Sequence, residues 1–304
     1  MGGLLLGSFL NVCISRLPEH RSIVKPRSQC TRCGQIIRWH DNIPLLSWIL
    51  LRAKCRNCKA HIPPRYPAVE LAVGLWFLLS TYELQYAVRY LAVREIERTV
   101  PLEEWLAALL TAIAIAILGF LLIGLLVMDW QTHTLPDAFT LTGTAIGFLL
   151  ICVQAVFLPT GAEDIHLTSR SNLRMSSPGS FAARGNVFLT GTERLVFGRI
   201  AAIVGAALIL LVIRWIYKAI RKREGLGLGD VKLLAMIAAF LGFWPAVLAL
   251  FAGVLGAAGY AILLLVRRRA DLATYLPFGS FLCAGGLLAA LWGEQIITWY
   301  RSML

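Results

Sequence analysis

The chain has 304 residues, 58% of them hydrophobic and 15% charged, with mean hydropathy +0.71 and a formal net charge of +12. That apolar fraction excludes an ordinary soluble globular domain and implies an all-α polytopic membrane protein in contact with a lipid bilayer. The positive charge lies between apolar runs, where topology and anionic lipid account for it, so no nucleic-acid partner is expected.

Eight apolar spans are predicted, at 2–15, 67–83, 105–128, 138–158, 196–217, 231–243, 245–266 and 276–298. The first is short of the ~20 residues a spanning helix needs, so 1–15 reads as a first, incomplete helix or one whose start lies upstream. It has neither a basic n-region nor a small-residue cleavage site, and is expected to stay in the mature protein. Residues 16–66 form a basic loop, with eleven Lys/Arg against Glu19 and Asp41. Arg214 to Lys232 is again basic, and Arg267-Arg268-Arg269 follows the seventh span. The positive-inside rule makes all three regions cytoplasmic. With eight spans they fall on one side and both termini on the other. Residues 84–104 mix charges at helix-compatible spacing. Residues 159–195, rich in Ser, Thr, Gly and Asn, read as an exposed external loop with no assigned role. The short span 231–243 is separated from the next by Pro245, so the pair reads as two helices or one broken element.

Seven cysteines divide into two groups. Cys13, Cys152 and Cys283 lie in apolar spans and read as small buried hydrophobes. The others form Cys30-Thr31-Arg32-Cys33 and Cys55-Arg56-Asn57-Cys58, two C-x2-C knuckles. Four thiolates so spaced can close a tetrahedral site around Zn²⁺, leaving no position for water, so the metal is expected to be structural. The flanking Arg32, Lys54, Arg56 and Lys59 offset the excess negative charge. Two disulfides are the rival reading, disfavoured by a reducing cytoplasmic location. His40 and His61 are then not needed as ligands.

Five acids lie near the membrane ends of the spans: Glu70, Asp129, Asp137, Glu224 and Asp230. Asp230 ends Glu224-Gly225-Leu226-Gly227-Leu228-Gly229-Asp230, where an apolar run begins; the glycines allow close backbone approach. An acid at such a place is costly in a membrane and marks a functional candidate. Asp129 ends another apolar run on the same expected face. Each acid alone reads equally as a helix cap or an interfacial residue; together they form an aspartyl dyad if they meet. Asp137, after Leu135-Pro136, reads as a first-turn cap. Glu224 reads as a partner for Arg221 or Lys222, and Lys232 as a residue that tunes its neighbours or reaches toward headgroups.

These stretches together resemble the bifunctional type IV prepilin leader peptidases/N-methyltransferases, which also process type II secretion pseudopilins. The resemblance is carried by Gly7-Ser8-Phe9-Leu10-Asn11-Val12, Arg16-Leu17-Pro18, Pro26-Arg27-Ser28, Trp39-His40-Asp41-Asn42-Ile43-Pro44, Leu45-Leu46-Ser47-Trp48, Ile62-Pro63-Pro64-Arg65-Tyr66-Pro67, Val69-Glu70-Leu71, Asp129 through Asp137, Gly227-Leu228-Gly229-Asp230 and Leu276-Pro277-Phe278-Gly279. It implies an intramembrane aspartyl protease of the bacterial cytoplasmic (inner) membrane with Asp129 and Asp230 as its catalytic pair, in a peptidase domain over 67–304. Its substrates would be membrane-inserted prepilins or pseudopilins, cut after the glycine that ends a short basic leader. Methylation of the new N-terminal amine with S-adenosyl-L-methionine is also implied. Members of this family commonly carry Gly-Lys before the third cysteine; here it is Ala53-Lys54, which makes Lys54 the candidate methyltransferase residue. No glycine-rich fingerprint for the methyl donor is visible. A peptidase lacking methylation is the nearest alternative. A non-enzymatic zinc-containing scaffold or transporter is the alternative from another class, although a transporter more often places acids at mid-span.

Overall fold

The computed structural model describes residues 1–19, 21–25, 27–97, 102–157, 192–222, 227–267 and 276–303. Its helices in chain order are α1 (Gly2–Arg16), α2 (Leu46–Leu50), α3 (Arg65–Glu97), α4 (Leu102–Thr132), α5 (Asp137–Phe157), α6 (Thr192–Arg221), α7 (Leu228–Leu241), α8 (Phe243–Val266) and α9 (Phe278–Met303), with a 3₁₀ turn at Trp39–Asn42. No strand occurs among the described residues, only the isolated bridges Gln29–Ile36 and Lys54–His61. The chain is thus an all-α membrane protein. Helices α4, α5, α6, α8 and α9 are long and apolar enough to cross a bilayer. Helices α1, α3 and α7 occupy the other three expected spans.

Two boundaries differ from expectation. Helix α3 continues to Glu97, well past residue 83. The break between α7 and α8 falls at Gly242, with φ 92°, rather than at Pro245. Glycine is the residue that enters such a conformation without strain, whereas Pro245 sits in the first turn of α8, where its missing N–H has no role. The polar loop lies outside the described residues as far as 191.

Helices α4, α7 and α9 make the centre. Leu118, Leu122, Leu125 and Met128 of α4 share one buried cluster with Leu233, Leu234, Met236 and Ile237 of α7 and Leu282 and Cys283 of α9. Lipid tails are as apolar as leucine, so close packing rather than water exclusion holds such helices together. Gly7 shows this at the α1–α3 contact: a Cβ there would lie 2.6 Å from Glu70 Cα.

Helix ends are tied at one end of the bundle. Asn11 Nδ2 donates to the Tyr66 carbonyl at 3.0 Å, and Arg65 Nη1 donates to Gln131 Oε1 at 2.7 Å. The end of α1, the starts of α3, α5, α7 and α9, and the end of α4 therefore cluster, with the cysteine loop joined to them. Glu70 of α3 accepts the Leu45 N–H at 2.8 Å, anchoring that loop to the membrane helices.

Candidate functional site

Asp129 and Asp230 are both buried, 5% and 8% exposed, and near enough for the charge of one to be felt at the other. Asp129 lies near the end of α4, and Asp230 in the first turn of α7. Asp129 Oδ2 accepts two bonds from Ser280, from the backbone N–H at 2.6 Å and from Oγ at 2.9 Å. The same hydroxyl reaches the Leu126 carbonyl at 3.0 Å. Asp230 Oδ2 accepts the Gly227 N–H at 3.2 Å, so this acid also caps its own helix.

The glycines before these residues have a steric function. A Cβ on Gly279 would sit 3.0 Å from Asp129 Cγ and 3.0 Å from Leu135 Cδ1. A Cβ on Gly229 would meet Leu135 Cβ and Cδ1 at 3.1 Å. Leu135 thus fills the gap between the starts of α7 and α9. Asp137 opens α5 and pairs with Lys232 of α7, Nζ to Oδ1 2.6 Å. Beside the acids, Trp130, Tyr260 and Phe281 form an aromatic cluster with centroids 5.5–6.3 Å apart, a composition suited to a membrane interface.

The four knuckle cysteines converge, their sulfurs all within 4.8 Å of one another. Cys30 and Cys58 are 3.8 Å apart, which is about the edge of a tetrahedron with metal–sulfur bonds of ~2.3 Å. The two knuckles repeat one backbone pattern. Cys30 N–H donates to the Gln35 carbonyl and Gly34 N–H to that of Cys30; Cys55 N–H donates to Ala60 and Lys59 N–H to Cys55. Gly34 and Lys59 both have positive φ, 69° and 54°. Backbone N–H groups of Cys33 and Arg32 hold the Cys30 thiol below its ordinary value, and that of Gln35 does so for Cys33. At Cys58 the Ala60 N–H acts the same way, but burial and the neighbouring thiols outweigh it and raise it to about 11. Four thiols crowded so closely suit a soft divalent metal that takes over their charge. Asp41 joins Arg56 in a bidentate pair, 2.8 and 2.6 Å, bracing the second knuckle.

A groove of about 570 Å³ lies between α1 and the cysteine loop, lined among others by Ser8, Phe9, Arg16, Arg27 and Asn42. No carboxylate lines it, and Arg16 and Arg27 make it cationic. Lys54, the candidate from sequence, is exposed beside Cys55 on the Lys54–His61 bridge.

Comparison with known proteins agrees with this geometry. Residues 1–84 match the bacterial peptidase A24 N-terminal domain, and residues 179–262 match the type IV leader peptidase family. A prepilin leader peptidase/N-methyltransferase of Aeromonas salmonicida (strain A449) is 31% identical, covering 99% of this chain and 92% of the relative. The chain belongs to the prepilin leader peptidase/N-methyltransferase family. A further member from Myxococcus xanthus (strain DK1622) is 43% identical over 48% of this chain and 44% of its own length. A type 4 prepilin-like proteins leader peptide-processing enzyme of Escherichia coli O78:H11 is 32% identical over 94% of this chain and 90% of its own. No solved structure matches. Within this family member, the first match covers the cysteine loop and the second covers Asp230. Ser280, Leu135 and the Asp137–Lys232 and Asp41–Arg56 pairs were not singled out as site partners by sequence; each is a long-range contact, and no local spacing announces one.

Proposed function

We propose that this protein cleaves the leader from membrane-inserted type IV prepilins or type II secretion pseudopilins, with Asp129 and Asp230 as an aspartyl dyad. The observation that supports the reading is two buried acids at the mouths of α4 and α7, within electrostatic reach of each other, one of them held by Ser280. Two adjoining carboxylates do not readily both ionise, so the pair holds one proton between them. The ionised member removes a proton from water, and the hydroxide adds to the scissile carbonyl. The protonated member donates a hydrogen bond to the carbonyl oxygen. The tetrahedral intermediate then collapses, and a proton from the dyad goes to the leaving amine.

The basic loop 16–66 sits at the same end as the acids, and the positive-inside rule makes that end cytoplasmic in the inner membrane. Within it Cys30, Cys33, Cys55 and Cys58 hold a structural Zn²⁺, with residues 67–304 forming the peptidase domain. Methylation of the new N-terminus, which the names of the relatives include, draws its methyl group from S-adenosyl-L-methionine.

Purified protein in lipid is incubated with a prepilin, and the product is weighed by mass spectrometry. Wild type releases the leader, whereas Asp129→Asn and Asp230→Asn leave the substrate intact. Full cleavage by either variant would overturn the dyad. A product heavier by one methyl group establishes the transferase activity in the same sample.

A further inference from the structure

The Asp137–Lys232 pair connects the segment that carries Asp129 to the helix that carries Asp230. Asp129 and Asp137 flank one short turn between α4 and α5, and Lys232 follows Asp230 by two residues on α7. Side chains two apart on a helix do not face each other, so Lys232 does not act on Asp230 directly. Its Nζ instead reaches across to Asp137 Oδ1 at 2.6 Å. Inside this link, Leu135 fills the space that Gly229 leaves open. The turn after Asp129 is therefore fastened to the start of α7 at two points, one apolar and one ionic.

Resting on the dyad reading above, we infer that Asp137 and Lys232 are positioning residues: their ion pair is a latch that sets the separation of the two catalytic carboxylates. Lys232 and Asp137 side chains are 36% and 59% exposed, so the pair adds little to folding stability. Its value lies in geometry. Displacing a reacting group by about 1 Å can cost ~100-fold in rate while leaving the fold intact. Asp137 is the first residue of α5, where an acid complements the helix dipole, and the latch is a further contact of the same side chain.

The test is cleavage kinetics in the full-length protein with Asp137→Asn, Lys232→Gln, the double neutral variant and the reversed pair Asp137→Lys/Lys232→Asp. Each single change is expected to lower kcat about tenfold with KM unchanged, and the double neutral change to lower it no further. The reversed pair is expected to recover most of the loss, short of all of it because a lysine opposes the α5 dipole. Unaltered kcat in the single variants overturns the latch, as does additive loss in the double neutral variant. Wild-type cleavage in the same assay separates these outcomes from failure of the protease reading itself.

Discussion

Ser280 gives its N–H to Asp129 Oδ2 at 2.6 Å and shares its one hydroxyl proton between that same oxygen, at 2.9 Å, and the Leu126 carbonyl, at 3.0 Å. Both contacts fall on Oδ2 and orient the carboxyl, and neither involves Oδ1. The backbone N–H comes from the first turn of α9, where its direction is fixed by the helix.

Replacing Ser280 with Ala removes the hydroxyl and leaves the N–H. We expect kcat for prepilin cleavage to fall about tenfold, roughly 1.4 kcal/mol in the barrier, with KM unchanged. Ser280→Thr keeps the hydroxyl and should restore most of the rate. Equal kcat in the Ala variant and wild type would show that the side chain does not orient Asp129.

Gly279 is constrained more tightly. An added Cβ meets Asp129 Cγ and Leu135 Cδ1 at 3.0 Å each, tighter than normal contact. Gly279→Ala must push Asp129 or α9 aside, at a cost of about 1–3 kcal/mol in stability. Cleavage should be nearly lost, while circular dichroism stays helical. Leu135→Ala in the same chain frees one of the two clashes, so a partial return of activity is expected.

A helix stands at each of the eight expected spans, five of them long and apolar enough to cross a bilayer, because apolar helices are long, local signals that need only their own composition. The cysteine cluster was legible for a similar reason, as C-x2-C presets two ligands within one turn. Asp129 and Asp230 could be placed on one face by counting spans, but contact between them depends on how α4, α7 and α9 pack. That packing rests on glycines and on Leu135, whose roles appear only when another helix is present. The break at Gly242 was missed because proline is the louder local signal, whereas the actual turn needs positive φ.

Asp41 yields a pH dependence. The Arg56 guanidinium, bonded to it at 2.6 and 2.8 Å, holds its carboxyl below the ordinary value. A depressed folded value means the pair stabilises the loop above the unfolded pKa of about 3.9 and loses that contribution as pH falls through the folded value. The metal-free loop of the wild type should therefore resist proteolysis better than that of Asp41→Asn at neutral pH. Below about pH 4, with an acid-active protease, the difference should shrink as Asp41 takes up its proton. A difference that is the same at pH 3 and pH 7 would sink this account.

Arg199 of α6 reaches the end of α7, donating to the Phe240 carbonyl at 3.1 Å and the Ala238 carbonyl at 3.4 Å. A cation at a helix C-terminus satisfies free carbonyls and complements the helix dipole. Arg199→Ala leaves those carbonyls without this donor, and we expect a loss of about 1–3 kcal/mol in thermal or denaturant unfolding. Lys in its place should recover part of this, since it keeps the charge but not the fork of donors. An unchanged unfolding midpoint in the Ala variant would exclude a capping role.

Ala53 has φ 58°, in the left-handed region, with Arg52 before it at 52°. A Cβ there costs roughly 1 kcal/mol, which glycine avoids. The strain falls at the position where this family commonly has glycine, immediately before Lys54 and Cys55. The Ala53 carbonyl accepts the Ile62 N–H at 2.7 Å, and its N–H donates to the Trp48 carbonyl at 2.9 Å, so the conformation is held from both sides. Ala53→Gly should therefore stabilise the cysteine loop, by less than the full strain because glycine also gains freedom in the unfolded chain. The measurement is resistance of the loop to chelation and proteolysis, with methylation of the cleaved product followed in parallel. If the strain limits the transferase, the glycine variant methylates faster while its cleavage rate stays the same. If methylation is unchanged and the loop is no more resistant, the left-handed alanine is tolerated without consequence and the strain argument fails.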